Sequence, residues 1–170
     1  MDAIVRTFCD EPVRCAWYCR LIGGSYPQPY RIYQSFQLAN LNPNNFIRFV
    51  PFLKQDEFHG LMHEADLYLD TIGFSGFNTA AQAIDCALPI VTMRGNFMRG
   101  RLASGVLDRI NLTELIATSL EGYIDLVVKL VKDEEFRAAV QQKILRNRDI
   151  LYDDDEPVRK FEDFLISLCR

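Results

Sequence analysis

No CxxC pair occurs among the five cysteines, Cys9, Cys15, Cys19, Cys86 and Cys169, and their number is odd. The set suits neither a zinc ribbon nor a disulfide framework, so reduced thiols filling a core are the expectation. Histidine is scarce too: His59 and His63 are the only two, four residues apart on one predicted helix. They could share a face as metal ligands do, but zinc sites use three or four ligands and no third is suggested; two partly exposed imidazoles are the plainer reading. No basic cluster of the kind that tracks a phosphate backbone is present. With 19 basic against 23 acidic residues the net charge is −4, which argues against a nucleic-acid partner. The longest apolar run falls well short of the roughly 20 residues of a membrane span. The N-terminus lacks the basic-then-apolar pattern of a signal peptide. A cytoplasmic protein that meets neither membrane nor nucleic acid is therefore expected, and no metal. Internal repeats, low-complexity runs and linkers are also missing.

What remains is a chain of 170 residues, 49% of them hydrophobic, which is enough for one core. A single domain over 1–170 follows. Four short runs read as strands because they are β-branched or aromatic and bounded by Gly, Pro or Asn: 13–23 ("VRCAWYCRLIG"), 46–52 ("FIRFVPF"), 65–70 ("ADLYLD") and 88–93 ("LPIVTM"). Between them, "PYRIYQSFQLANL", "KQDEFHGLMHEA" and "NTAAQAIDCA" place apolar residues three and four apart, as a helix laid on a sheet does. Strand and helix alternating in this way predict an α/β fold, a Rossmann-like doubly wound parallel sheet. After Met93 the pattern turns helical to the C-terminus. Ser119 ahead of Gly122 and Tyr123 reads as a helix start, Pro157 suits a first turn, and the acidic "DDDEP" at 153–157 reads as a solvated turn.

One stretch resists a purely structural account. "FSGFNTAAQAID", Phe74 to Asp85, follows a predicted strand with glycines and then starts a helix that has no acidic residue in its first turn. Parallel α/β sheets bind ligands outside the carboxyl ends of their strands, where loops lead into helix N-termini. Gly73 and Gly76 allow a tight turn and close backbone approach, and Asn78 or Thr79 can cap the helix. Free N–H groups there suit an anion the size of a phosphate, which a carboxylate in the first turn would repel. A glycine-bearing strand-to-helix turn is also often only a turn. Arg94, Arg99 and Arg101, around "GNFM" after the fourth strand, are either further cations for a nucleotide or members of structural salt bridges.

From about Arg48 to Leu130 the chain resembles the C-terminal catalytic half of the O-linked N-acetylglucosamine transferases, glycosyltransferase family 41, of GT-B fold. The resemblance is carried by "ADLYLDT…G…T…ALPIVTMRG", Arg101, "ELIA" at Glu114 to Ala117, and Tyr123. It implies the donor-binding half of an inverting transferase that takes a UDP-sugar, transfers to a protein or glycan hydroxyl, and needs no metal or added cofactor. The family's Gly-His-Thr-Thr run, which holds the diphosphate, is here Gly76, Phe77, Asn78 and Thr79: the second threonine is kept and the histidine is not. A carboxylate on the ribose becomes Gln82, uncharged but still able to hydrogen-bond. Backbone at the position of Leu53 reads the uracil, and a histidine that stacks on it becomes Phe58. The Phe58 ring either stacks on the base or packs into the core beside its helix. Arg101 matches an arginine common in the family.

The resemblance also implies absences. The family's lysine that neutralises the departing diphosphate lies upstream of everything matched, and the acceptor residues come from a separate N-terminal half. A fragment of a two-domain enzyme, without turnover on its own, is expected. A central strand would then be missing, leaving the sheet to close on itself or to pair with another copy. Two rival functions stay open: a degenerate domain used for protein interaction, and a nucleotide-binding module of similar fold with no glycosyl transfer.

Overall fold

Short apolar runs build the sheet, and amphipathic helices cover it. The computed structural model describes residues 15–16, 28–47, 50, 53–152 and 154–168. Among them, four strands run β1 (Cys15–Ala16), β2 (Leu67–Leu69), β3 (Ile90–Met93) and β4 (Ile116–Ala117). The helices are α1 (Gln28–Leu38), α2 (Gln55–Glu64), α3 (Asn78–Asp85), α4 (Leu102–Arg109), α5 (Leu120–Lys132), α6 (Glu134–Asn147) and α7 (Glu156–Leu168). All neighbouring strands pair in parallel, in the order β1-β2-β3-β4. β1 pairs directly with β2, Cys15 opposite Leu67 and Ala16 opposite Tyr68, so the described strands form one continuous sheet. Leu67, Tyr68, Ile90, Val91 and Thr92 are all buried. Successive strand residues point to opposite faces, so both faces of the sheet are covered, as the α/β expectation requires.

Two expectations need correction. β4 lies within the stretch that reads as wholly helical: it is only two residues long and follows a 3₁₀ turn at Thr113–Leu115, too short to show any period. Of the expected strand at 46–52, only Phe46, Ile47 and Val50 are described, and none is in a strand; the rest lies outside the described residues. The strand expected over 13–23 is described only at Cys15 and Ala16.

Helix ends follow local chemistry. Ser119 accepts from the Gly122 N–H at 3.1 Å and caps α5, as its sequence suggests, and Asp133 accepts from the Phe136 N–H at 2.8 Å to cap α6. α1, α3 and α4 all close with the same paired C-terminal hydrogen bonds. In α3 the Leu88 N–H reaches the Ala83 carbonyl at 2.8 Å and the Ala87 N–H reaches that of Ile84 at 3.0 Å. This closure puts the residue after the cap in the left-handed region. Asn40 (φ 58°) and Asn111 (φ 57°) tolerate that conformation in α1 and α4, whereas α3 uses Ala87 (φ 54°). A side chain without local hydrogen bonding is strained there, so Ala87→Gly is expected to stabilise the protein by about 0.5–1 kcal/mol, read as a higher urea midpoint at constant slope.

The C-terminal region is fastened through side chains. Arg148 donates to the Asp85 carbonyl at 2.7 Å and Asn147 to that of Ile110 at 2.8 Å. Tyr152 donates to the Asp85 carboxylate; burial first, and then that carboxylate, push its pKa up to about 12. The acidic turn before α7 is not simply solvated: Asp154 and Glu156 both pair with Arg109 at the end of α4. Asp153 lies outside the described residues. Beyond this anchor α7 leaves Val158, Phe161, Phe164, Leu165 and Leu168 exposed. Cys86 is a half-buried free thiol whose pKa burial pushes up; Cys9, Cys19 and Cys169 lie outside the described residues.

Candidate functional site

β2 ends at Leu69, and the turn beyond it is built around the carboxylate of the next residue, Asp70. The β2–β3 register continues to Asp70, whose N–H donates to the Val91 carbonyl at 3.0 Å, and sets Thr92 across from it. Asp70 is 4% exposed and accepts three hydrogen bonds, from Thr92 Oγ1 at 2.7 Å, Ser75 Oγ at 2.6 Å and the Gly76 N–H at 3.0 Å. A buried carboxylate is tolerated only when its oxygens are satisfied, so the chain folds back after the strand to supply these donors. The Asp70 carbonyl is held in turn by Tyr123 Oη at 3.1 Å, from α5.

Ser75 joins two loops. Its buried hydroxyl donates to Asp70 and accepts from the Ala103 N–H at 2.8 Å, capping the first turn of α4 from a distance. Its own N–H donates to the Arg99 carbonyl at 2.7 Å. The loop after β2 is thereby tied to the loop after β3. Gly73 turns the first of these loops with φ at 88°, the left-handed region in which glycine has no penalty.

The start of α3 stands on this support. Gly76 is tightly packed: a Cβ there would collide with Thr79 Oγ1 and lie 2.9 Å from Tyr68 Oη. Thr79 Oγ1 and Tyr68 Oη share a hydrogen bond of 2.9 Å, which fixes the threonine over the glycine. Phe77 occupies the N-cap position and no side chain caps the helix. The first intrahelical bond runs from the Ala81 N–H to the Phe77 carbonyl at 3.0 Å, so the N–H groups of Asn78, Thr79 and Ala80 precede it. With no acidic residue in that turn, the helix dipole and these donors present a positive end.

The residues singled out in the sequence fall into two groups. Gly76, Phe77, Asn78 and Thr79 form one turn at the carboxyl edge of the sheet, with Gln82 half-buried one helical turn further along α3. Arg101 is exposed at the start of α4, across the stitched loops, and forms no ion pair among the described residues. Arg94 makes a bidentate contact with Asp108 at 2.8 Å, and Arg99 lies 4.9 Å from the centroid of the Phe97 ring. Leu53 is half-buried against the core, and Phe58 is 8% exposed within it. The Phe58 ring points into the core, which is the packing alternative of its two readings. His59 is half-buried and His63 exposed, and among the described residues no group of three His, Cys, Asp or Glu is placed to hold a metal. Sequence reasoning missed Asp70, Ser75, Thr92, Tyr68 and Tyr123. The only local signal was a carboxylate closing an apolar strand just before a glycine turn.

The model of Glycosyl transferase family 41 matches residues 17–155. A probable UDP-N-acetylglucosamine–peptide N-acetylglucosaminyltransferase SPINDLY of Hordeum vulgare is 26% identical over 86 residues, covering 48% of this chain and 9% of that protein. A UDP-N-acetylglucosamine–peptide N-acetylglucosaminyltransferase of Caenorhabditis elegans is 28% identical over 103 residues, 59% of this chain and 9% of that protein. The solved structure of a mutant O-GlcNAc transferase from Thermobaculum terrenum superposes with a TM-score of 0.69 at 25% identity, covering 80% of this chain and 26% of that one. The chain thus spans only a small part of the length of these relatives. Its parallel α/β sheet matches the GT-B structure of the bacterial O-GlcNAc transferase, and the chain belongs to glycosyl transferase family 41.

Proposed function

We propose that this chain forms the donor-binding part of an inverting glycosyltransferase, holding the diphosphate of a UDP-sugar at the turn of Gly76, Phe77, Asn78 and Thr79. The observation that carries this reading is the uncapped start of α3, held in place by the buried Asp70 and free of acidic side chains. Arg101, exposed at the start of α4, is a further cation for the nucleotide, Gln82 is a hydrogen-bonding partner for the ribose, and backbone at Leu53 is the partner for the base. The relatives' names supply the sugar class, N-acetylglucosamine, and a peptide acceptor. Acceptor-side residues and a leaving-group cation belong to another part of the enzyme, so this chain binds donor without turnover. The reading includes no added cofactor or metal, and a cytoplasmic setting.

Titrating UDP into the chain by calorimetry, with amide chemical shifts recorded alongside, tests the assignment. Shifts are expected at residues 74–82, and no binding at millimolar UDP would end the proposal. Thr79→Val is expected to weaken UDP by about 1–3 kcal/mol if its hydroxyl reaches a phosphate, as loss of a hydrogen bond to a charged group does. Tyr68→Phe, which frees Thr79 while keeping its hydroxyl, should weaken it less. Equal affinities of Thr79→Val and wild type would leave the backbone amides as the site.

A second reading, a degenerate domain that serves protein interaction, is favoured by α7. Its exposed Val158, Phe161, Leu165 and Leu168 recur three and four apart along one helix face.

A further inference from the structure

Two hydroxyl groups meet at the turn that opens α3. Tyr68, in the middle of β2, is 2% exposed and belongs to the core. Its Oη lies 2.9 Å from Thr79 Oγ1. Gly76 leaves room for this approach, because a Cβ there would stand 2.9 Å from the same Oη. β2 holds the tyrosine firmly: it pairs with β1 on one side and β3 on the other, and the Tyr68 N–H donates to the Pro89 carbonyl at 2.8 Å. Thr79, the second residue of α3, is half-buried, and its hydroxyl makes no other hydrogen bond among the described residues. The sheet therefore fixes one partner of the bond, and the other belongs to the turn.

Resting on the donor-binding reading, we propose that Tyr68 is a positioning residue for the diphosphate: by donating to Thr79 Oγ1 it leaves the Thr79 hydroxyl proton to be given to a phosphate oxygen. The shared bond uses one proton, and its direction decides what Thr79 presents. A Thr79 that donated to Tyr68 would turn lone pairs toward an incoming anion, whereas a Thr79 that accepts from Tyr68 keeps its own proton free. A phenol is a stronger acid than an aliphatic alcohol and so the better donor, which favours the second arrangement. Hydrogen bonds in series also strengthen one another: a Thr79 that donates to phosphate accepts more strongly from Tyr68. Without the phenol, the hydroxyl of a threonine in a helix is drawn to a backbone carbonyl three or four residues earlier, away from any ligand. Tyr68 itself is buried and acts through Thr79, from a strand whose position does not depend on the turn.

A double-mutant cycle on UDP affinity tests whether Tyr68 acts through that one hydroxyl. UDP is titrated into the wild type, Tyr68→Phe, Thr79→Val and the double variant, with melting temperatures recorded for each. Tyr68→Phe keeps the ring in the core and is expected to weaken UDP by about 2- to 10-fold, the net worth of one neutral hydrogen bond. Thr79→Val should cost more, and the two losses should not add: the double variant is expected to bind about as weakly as Thr79→Val, because no hydroxyl is left to orient. Losses that multiply would show that the phenol supports the fold without orienting Thr79, and would overturn the proposal. So would a Tyr68→Phe variant that binds UDP as tightly as the wild type. A second readout needs no change at position 68. In protein labelled at tyrosine Cζ, the Tyr68 resonance is expected to move when UDP saturates the wild type and to stay in place in Thr79→Val. A Tyr68 Cζ that does not respond while UDP binds overturns the relay, and this signal decides the matter if Tyr68→Phe does not fold. Each of these failures leaves UDP binding to the wild type intact and so strikes the role of Tyr68 alone; a wild type that binds no UDP ends the donor reading and this proposal with it.

Discussion

Replacing Asp70 with alanine is expected to lower the unfolding free energy by about 3–5 kcal/mol, the cost of removing one member of a buried charge-assisted set. The carboxylate accepts from Thr92, Ser75 and Gly76, and Ser75 and Thr92 are 2% and 0% exposed, so water cannot take its place for those hydroxyls. The loss propagates, because the same Ser75 hydroxyl holds the Ala103 N–H at the start of α4. Asp70→Asn keeps the shape and one acceptor oxygen but turns an amino group toward hydroxyls; a smaller loss is expected from it. Urea unfolding of both variants measures the effect, and a change in slope would show that more than local contacts had been altered. If Asp70→Ala lies within about 1 kcal/mol of wild type, the carboxylate is not what holds the turn.

Gly76→Ala separates the nucleotide site from the fold. A methyl group there meets Thr79 Oγ1 and stands 2.9 Å from Tyr68 Oη, closer than real side chains pack, so the turn must shift. Overpacking of this kind costs about 1–3 kcal/mol of stability. The larger effect is expected on UDP, whose affinity should fall by about 2–3 kcal/mol as the displaced amides and the Thr79 hydroxyl lose their alignment with the phosphates. Gly105→Ala is the control. That glycine lies within α4 with nothing within 4 Å of an added Cβ, so alanine there should stabilise by about 0.5–1 kcal/mol and leave UDP binding unchanged. Unaltered UDP affinity in Gly76→Ala would move the diphosphate away from this turn.

The sequence by itself determined whatever depends on neighbours a few residues apart. Ser119 announced the start of α5, the runs around Leu67 and Ile90 gave two strands, and the glycine turn before Asn78 gave a candidate anion site. Each rests on side-chain to backbone chemistry within one turn or on strand alternation, and both are visible in the order of residues. Co-linear residues from about Arg48 to Leu130 carried the family resemblance.

Only the tertiary structure decided what those local features rest on. Asp70 finds Thr92 at 22 residues' separation, Ser75 finds Ala103 at 28, and Tyr123 reaches the Asp70 carbonyl at 53. No local pattern encodes such partners, because they meet only once the strands are in register and α4 and α5 have packed. The same holds for the Phe58 ring, which a helical period places on one side of α2 without saying whether that side meets the core or a ligand. It holds for the acidic turn before α7, which is anchored because the fold brings Arg109 beside it. Local chemistry chose the elements, and burial of charge and ring, which depends on what packs against them, chose the roles of Asp70, Phe58 and the turn at Gly76.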